Sequence, residues 1–92
     1  MVSAGAPQQG FRFPGEFEIT AMGRTGADLE TRVPVLLLRE AGLELVTGSL
    51  HVRVSPGGRY VAVRVRFVAA ARADYERAHA VLRADPDIRY TL

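Results

Sequence analysis

The sequence predicts an α+β fold, a ferredoxin-like βαββαβ sandwich with a four-stranded antiparallel sheet and two helices on one face. Two observations lead to this fold class. Four stretches alternate between apolar and polar residues with period two, and two stretches repeat apolar residues at helical spacing. Their order, strand–helix–strand twice over, is that of the split βαβ motif. Right-handed crossovers then place the fourth, first, third and second strands side by side, in one domain of 92 residues.

The first strand follows a change in composition near Phe13. Residues 1–12 are small and polar and include proline and glycine, which predicts a disordered N-terminal tail ahead of a single domain over residues 13–92. Residues 16–22 alternate with period two and predict a half-buried strand. Its inward positions are Phe17, Ile19 and Ala21.

The first helix is predicted over about residues 27–41, and it contains a proline. Apolar residues recur there at helical spacing, acidic residues stand in the first turn, and Gly42 supplies a stop signal. Pro34 has no N–H to donate to the carbonyl of Glu30, and its ring clashes with that carbonyl. We therefore expect a local distortion of this helix.

The second strand region, residues 43–54, is predicted to be interrupted. Its inward positions are odd-numbered at first and even-numbered later: Leu43 and Leu45, then Leu50, Val52 and Val54. A period-two pattern cannot change face without an extra residue, so a bulge or break is expected around Thr47–Ser49.

The second half of the chain repeats the strand–helix–strand order after a turn at residues 55–58. The third strand has four apolar inward residues, Val61, Val63, Val65 and Phe67. Residues 70–84 have the spacing of a helix. Residues 87–92 alternate again and predict the last strand, with Ile88, Tyr90 and Leu92 inward.

The composition excludes several classes of protein. The 12 basic residues are all arginine and exceed the 10 acidic residues by 2, a net charge too small to indicate a partner. The absence of cysteine excludes a disulfide framework, a thiol nucleophile and a cysteine-ligated metal site. The N-terminus lacks the basic and apolar regions of a signal peptide, and the longest apolar run, Val33–Leu38, is too short to span a bilayer. We therefore expect a cytoplasmic protein that does not enter a membrane.

The residues predict no catalytic or metal site. Neither His51 nor His79 stands at the spacing from other ligands that a zinc site requires. No serine has a predictable histidine partner, so a nucleophile and its base cannot be assembled. Glu16 and Glu18 share a strand face and are expected to form cross-strand ion pairs with arginines. We therefore predict no enzyme activity, no metal and no cofactor.

Several short motifs resemble a known bacterial family. They are Phe13-Pro14, Phe17 and Met22-Gly23 near the start, Gly58-Arg59-Tyr60, Val63 and Ala69 around the third strand, and Ile88-Arg89 with Leu92 at the end. In these residues the chain resembles the YbeD-like family of small bacterial proteins of unknown function. The resemblance implies an ACT-like, ferredoxin-like domain, a type that binds small ligands such as amino acids at dimer interfaces. At the level of the family it also implies a role in regulating lipoate metabolism.

The first of two candidate sites is the loop after the first strand. Gly23, Arg24, Thr25 and Gly26 join a strand to a helix N-terminus, where free amide donors and the helix dipole attract anions. The predicted topology brings Arg59 to the same end of the sheet. One hypothesis is that these residues bind a small carboxylate or phosphate ligand. The alternative is that both segments are ordinary turns.

The second candidate site is the open face of the sheet. By strand parity this face carries Glu18, Thr20, His51, Arg53, Tyr60, Ala62, Arg64, Arg66, Arg89 and Thr91. Nucleic acid is not the expected partner, because RNA-binding domains of this topology stack bases on central-strand aromatic residues and only Tyr60 could do so here. The amphipathic and arginine-rich residues of this face instead predict a protein partner or a homodimer. Edge strands around residues 46–54 or 88–92 could also extend the sheet into a dimer. The alternative is a solvated face on a monomer.

The function predicted from the sequence is regulatory and non-enzymatic. We expect an ACT-like domain that responds to a small anionic ligand or to a protein partner. A protein-interaction adaptor without a small ligand is the alternative, and an RNA-binding module is a minor one.

Overall fold

The computed structural model describes residues 12–92, which form the predicted two-layer α+β sandwich. The strands are β1 (Gly15–Arg24), β2 (Glu44–Leu45), β3 (His51–Val54), β4 (Tyr60–Ala69) and β5 (Ile88–Thr91). The helices are α1 (Leu29–Val35), which continues as a π-helical segment (Leu36–Glu40), and α2 (Arg72–Arg83). The tail predicted for residues 1–12 lies outside the described residues except at Arg12, and it stays a prediction.

The sheet is antiparallel throughout and has the predicted strand order. β5 lies beside β1, β1 beside β4, and β2 and β3 share the outer edge of β4. The pairing of β1 with β4 runs from Gly15 opposite Ala69 to Arg24 opposite Tyr60 without a shift in register. The ferredoxin-like arrangement predicted from the sequence is confirmed.

One face of β1 and β4 forms the core with the two helices. The predicted inward residues of β1 are buried, and so are those of β4: Phe17, Ile19 and Ala21, then Val61, Val63, Val65 and Phe67. The helices contribute Leu29, Val33, Leu37, Ala78 and Leu82 to the same cluster. Because all of this apolar surface is on the helix side, the opposite face of the sheet is free for other contacts.

The first helix is distorted where its proline predicts. It is α-helical only from Leu29 to Val35, and the π-helical segment begins two residues after Pro34. The wider turn is visible at Ala41, whose N–H donates to the carbonyl of Leu36 five residues earlier, at 3.1 Å. Proline removes one donor from the helical ladder, and a π-turn is one way for the backbone to accommodate the loss.

The predicted interruption of the second strand region is also confirmed. β2 and β3 pair with different parts of β4, and Ser49 lies in the gap between them. The Ser49 hydroxyl donates to the carbonyl of Val46 at 2.7 Å and accepts the N–H of Arg66 at 3.0 Å. The hydroxyl of Ser49 therefore provides the hydrogen-bond acceptor for the Arg66 N–H that a neighbouring strand would otherwise provide.

The inward parity predicted for Val52 and Val54 is confirmed, but neither these residues nor Leu50 are buried. These side chains are 43%, 46% and 53% exposed. Val52 and Val54 lie opposite Val63 and Val61, which places them on the helix side of the sheet. The parity was right, but the helices leave this outer edge uncovered.

The predicted parity of the last strand is wrong after Ile88. Tyr90 and Leu92 are 51% and 66% exposed, whereas Thr91, expected on the open face, is buried. The cause is an irregularity in the pairing of β5 with β1: Met22 is opposite Tyr90 and Gly23 is opposite Ile88, which leaves Arg89 as an extra residue. An extra residue in one strand reverses the facing of every residue beyond it.

Candidate functional site

The open sheet face is formed by the residues of β1 and β4 that point away from the helices. Directly opposite residues share a face in an antiparallel pair, so the register assigns five pairs to it. They are Glu16 with Val68, Glu18 with Arg66, Thr20 with Arg64, Met22 with Ala62, and Arg24 with Tyr60. His51 lies opposite Arg64 and Arg53 opposite Ala62, so β3 extends the same face. The structure thus brings together His51, Arg53, Tyr60, Arg64 and Arg66, as the sequence predicted.

One half of this face is neutralised by ion pairs. Arg64 Nε lies 3.4 Å from Glu18 Oε2, and an Arg66 guanidinium nitrogen lies 3.2 Å from Glu16 Oε1. These are the cross-strand pairs expected from the sequence. All four side chains are about half exposed, so each ion pair adds little stability. Each glutamate nevertheless compensates the positive charge of the arginine with which it pairs.

The other half of the open face contains a hollow of about 460 Å³, which we call the Met22 hollow. It is lined by Met22, Gly23, Tyr60, Arg89 and Tyr90. The two tyrosines are exposed, and Arg89 forms no ion pair with any described residue between 12 and 92. An apolar floor, two aromatic rings and a cation without a counter-charge therefore meet at one place.

Two smaller hollows adjoin the Met22 hollow, and Met22 lines all three. Both include Met22, Arg53 and Ala62; one adds Ser55 and Pro56, and the other adds Thr20, His51, Arg64 and Leu92. Arg53, like Arg89, has no ion-pair partner within the described part of the chain. This half of the face is consequently both more apolar and more positive than the half with the paired glutamates.

Two residues of this site, Met22 and Tyr90, were not predicted from the sequence. Met22 has the same parity as Glu18 and Thr20, so strand alternation alone was sufficient to place it on the open face. Tyr90 reaches this face only because Arg89 is an extra residue in β5, and the alternating sequence 87–92 gives no sign of that irregularity.

The loop that was the first candidate site has part of its backbone engaged within the fold. Thr25 donates its N–H to the carbonyl of Arg59 at 2.9 Å, so this amide is not free to bind an anion. β1 extends through Arg24, which lies opposite Tyr60. Gly23 is buried but lines the Met22 hollow, and Arg24 lies on the open face itself, so the structure joins these two loop residues to that face.

The surroundings of Thr25 and Gly26 are acidic. Both residues line a hollow of about 220 Å³ together with Asp28 and Glu30. α1 begins at Leu29, after Asp28 in the left-handed conformation with φ of 59°. Carboxylates at this position repel an anion, so the charge here is opposite to that around Arg53 and Arg89.

Arg32 ties α1 to the segment that precedes β5. Its guanidinium forms ion pairs with Asp85 and, at 2.9 Å, with Asp87, and it also donates to the carbonyl of Ala27 at 3.0 Å. The hydrogen bonds to both carboxylates raise the pKa of Arg32 above its already high ordinary value. The charge of Arg32 is therefore compensated within the fold, where it joins α1 to the segment that packs against Gly23.

A polar cluster of His79, Arg83 and Thr91 joins α2 to β5. The hydroxyl of Thr91 lies 2.8 Å from His79 Nδ1 and accepts Arg83 Nε–H at 3.0 Å. The His79 ring packs 5.0 Å from the ring of Tyr75. Burial lowers the pKa of His79, and the positive charge of Arg83 lowers it further. The cluster therefore favours the neutral imidazole.

We expect the stability of the domain to fall as the pH is lowered through the ordinary range of histidine titration. The folded pKa of His79 is below its unfolded value of about 6.5, so the unfolded chain binds the proton more readily. The stabilisation is present above that value and decreases as the pH falls towards the folded pKa. Urea unfolding between about pH 7.5 and pH 5.5 measures this slope.

The control for that measurement is His79→Gln, which removes the titrating ring. Its free energy of unfolding should vary less over the same pH range than that of the parent chain. Identical slopes in the parent and in His79→Gln would contradict the assignment.

Residues 12–92 contain neither a candidate metal site nor a candidate membrane-spanning helix. No three histidine, aspartate or glutamate side chains of the described chain are grouped so that they could hold a metal ion. Of the helices described, none is both long and apolar enough to cross a membrane.

The sequence as a whole matches a family of bacterial proteins. The family model that matches, described as a protein of unknown function (DUF493), covers residues 8–92. The chain belongs to the DUF493 family. Relatives in the family are named UPF0250 proteins: one from Xylella fastidiosa is 46% identical over 92% of this chain and 91% of its own length. One from Xanthomonas campestris is 42% identical over 99% of this chain and 98% of its own. The predicted resemblance to the YbeD-like family is confirmed.

Solved structures show the same fold at low sequence identity. The C-terminal domain of the MgtC protein from Mycobacterium tuberculosis aligns with a TM-score of 0.63 over 86% of this chain and 84% of that chain, at 12% identity. Protein HP0495 from H. pylori aligns with a TM-score of 0.64 over 89% and 85%, also at 12% identity. Both support the ferredoxin-like, ACT-like fold of this family member.

Proposed function

We propose that this DUF493 protein is a non-enzymatic regulatory domain that binds a small anionic ligand with an apolar body in the Met22 hollow. The observation that carries the proposal is the coincidence, in one hollow of about 460 Å³, of apolar, aromatic and unpaired cationic side chains. Small-molecule sites are typically lined by apolar and aromatic groups, with a few polar groups that fix orientation. The hollow has the size and the composition of such a site.

The aromatic residues define where the body of the ligand would lie. Tyr60 comes from the start of β4 and Tyr90 from β5, so the two rings belong to strands on either side of β1 and of Met22. Methionine is adaptable in shape and makes favourable contacts with flat or branched groups. A ligand body between the two tyrosines would cover apolar surface that water covers now.

Arg89 defines the charge of the ligand. It lines the Met22 hollow, it is exposed, and no acidic group of the described residues pairs with it. A guanidinium presents a fork of donors that matches a carboxylate or a phosphate. Arg53, in the adjoining hollows, adds to the positive potential, whereas Arg64 and Arg66 are already paired.

This proposal combines the two candidate sites predicted from the sequence. Gly23 comes from the loop, and Tyr60 and Arg89 come from the open face. The ligand class, a small carboxylate or phosphate, is unchanged, but its place moves away from Asp28 and Glu30. Lipoate, which the family-level expectation suggests, combines a carboxylate with an apolar chain and is one member of this class.

The test is a titration followed by amide NMR spectra, with lipoate, octanoate, free amino acids and nucleotides added separately. A ligand of the proposed class should shift the amide signals of residues 22, 23, 60, 89 and 90. Replacing the ligand carboxylate by a neutral amide should weaken binding about tenfold or more, because a charge-assisted hydrogen bond is lost. The same ligand should raise the melting temperature, and the stabilisation should increase with the logarithm of the free-ligand concentration once that concentration exceeds Kd.

Matched arginine variants separate the site from the general charge of the face. Arg89→Gln should weaken binding by about the same factor as the neutral ligand does. Arg66→Gln, which removes an arginine of the same face that is paired with Glu16, should leave the affinity close to that of the parent. Equal effects of both variants, or signal shifts confined to residues 24–30, would contradict the proposed site.

A second candidate function, that of a protein-interaction adaptor, is favoured by a separate observation. Leu50, Val52 and Val54 form an exposed apolar row at the outer edge of the sheet, away from the Met22 hollow. Apolar residues clustered on a surface indicate contact with another macromolecule more often than contact with water. This row is the basis of the inference that follows.

A further inference from the structure

β3 is an edge strand that presents all of its residues to solvent. It pairs with β4 on one side only, and its four residues, His51–Val54, are exposed. Proteins commonly protect such edges with proline, bulges or charged residues, because an unpaired strand edge is a template for another strand. Within β3 itself the pairing is regular and contains no proline, and Arg53 is the one formally charged residue.

The hydrogen-bond phase of the hairpin identifies the free backbone groups. Ser55 donates its N–H to the carbonyl of Tyr60 at 2.9 Å, so these two form a hydrogen-bonded pair. Hydrogen-bonded and non-hydrogen-bonded pairs alternate along an antiparallel ladder. The register then makes Arg53 a hydrogen-bonded residue, whereas Val52 and Val54 direct their N–H and C=O groups away from β4. The outer edge of β3 therefore offers two residues with complete sets of backbone donors and acceptors.

The same two residues carry the exposed apolar side chains of the helix side. Val52 and Val54 line a hollow with the buried Val61, and Asp28 and Glu30 stand at its rim. On the open face, the neighbouring side chains of β3 are His51 and Arg53. The two sides of this edge thus differ in chemistry: apolar with an acidic rim on one side and basic on the other.

We propose that the outer edge of β3 binds an extended segment of a partner protein as an added strand. That segment carries branched apolar side chains on the helix side and acidic side chains on the open face. Main-chain hydrogen bonds to Val52 and Val54 provide the pairing, as in other complexes formed by strand addition. The charge of Arg53 selects the acidic residues, and the acidic rim formed by Asp28 and Glu30 excludes them from the helix side.

A second copy of this chain fits the edge less well than an acidic segment does. If two β3 strands paired about a two-fold axis with Val52 opposite Val54, Arg53 would lie opposite Arg53. If Val52 lay opposite Val52, Arg53 would lie opposite His51. The first register sets two guanidinium charges directly opposite each other, which is destabilising in a sheet, and the second gives Arg53 no acidic partner.

The test uses short synthetic peptides and amide hydrogen exchange of the full chain. A peptide of alternating valine and glutamate should slow the exchange of the Val52 and Val54 amides, with little change at Arg53, whose amide already bonds to β4. A peptide of alternating valine and arginine should bind about tenfold more weakly or not at all. The valine–glutamate peptide with alternate backbone nitrogens methylated keeps the side chains but loses the donors, and it should fail to slow exchange.

Variants of the chain make the test specific. Arg53→Glu should reverse the preference between the two charged peptides, because it reverses the charge on the open-face side of β3. Val52→Pro removes an N–H that faces away from β4, so it should abolish peptide binding while the melting temperature and circular dichroism stay close to those of the parent.

Three results would overturn the inference. The first is equal binding of both charged peptides, and the second is binding of the methylated peptide as tightly as the unmethylated one. The third is protection of the Val52 and Val54 amides that rises with protein concentration in the absence of peptide. That result would show that a second copy occupies the edge. Signal shifts at residues 51–54 also distinguish this site from the Met22 hollow, so either proposal can fail without the other.

Discussion

Replacing Gly23 by alanine is expected to lower the free energy of unfolding by about 3 kcal/mol, the upper range for overpacking in a core. A Cβ atom at this position would collide with the backbone carbonyl oxygen of Asp87 and would lie 2.6 Å from Leu29 Cδ1. The carbonyl belongs to the segment that Arg32 holds in place through Asp85 and Asp87, so it cannot move aside freely. For a domain of this size the change corresponds to a fall in melting temperature of roughly 12–24 °C.

Gly26→Ala is the matched control for that prediction. Gly26 has a positive φ of 99°, and nothing lies within 4 Å of the Cβ that alanine would add. Its replacement should therefore cost only the backbone strain of an L-residue at positive φ, about 1–2 kcal/mol. Chemical denaturation of both variants without ligand gives the comparison. If Gly23→Ala were no less stable than Gly26→Ala, the close approach of β1 to the segment before β5 would be disproved.

Ser49→Ala should lower the free energy of unfolding by about 1–3 kcal/mol, because it leaves a buried backbone N–H without an acceptor. Ser49 is buried, and its hydroxyl accepts the N–H of Arg66 at 3.0 Å while donating to the carbonyl of Val46 at 2.7 Å. Water cannot easily reach the Arg66 amide to replace the lost bond. The measurement is again the unfolding free energy, with hydrogen exchange at Arg66 as a local readout.

The chain supplies a matched control in a second serine of the same strand region. Ser55 also accepts a backbone N–H of β4 through its hydroxyl, that of Tyr60 at 3.1 Å, but this bond is exposed to water. Ser55→Ala should cost no more than about 0.5–1 kcal/mol, because solvent can replace the acceptor. Equal losses of unfolding free energy in the two variants would mean that burial does not determine how much the Ser49 hydrogen bond stabilises the fold.

The elements of the fold could be predicted from local patterns. Alternation in β1 and β4 identified their buried faces, and the change of parity around Ser49 located the gap between β2 and β3. Pro34 predicted the distortion of the first helix because its cause is local: one missing donor and one steric clash. Where the determining interaction lies within a few residues, the sequence is sufficient.

The candidate site was predicted less completely because its geometry depends on tertiary pairing. Tyr90 reaches the open face through an extra residue in β5, and no residue type near Arg89 signals that irregularity. The exposure of Val52 and Val54 depends on how far the helices extend across the sheet, which alternation does not encode. The engagement of the Thr25 amide by Arg59 likewise joins residues that are distant in the sequence.

The central position of β1 affects how fast the chain can fold. Its partners are remote: Gly15 is paired with Ala69, 54 residues later, and Ala21 with Thr91, 70 residues later. Such pairings require long loops to close before any stabilising contact forms between the strands. The entropic cost of loop closure slows the search for the native state. The contact order of this small domain therefore places its folding rate with mixed α/β proteins rather than with helical bundles of similar length.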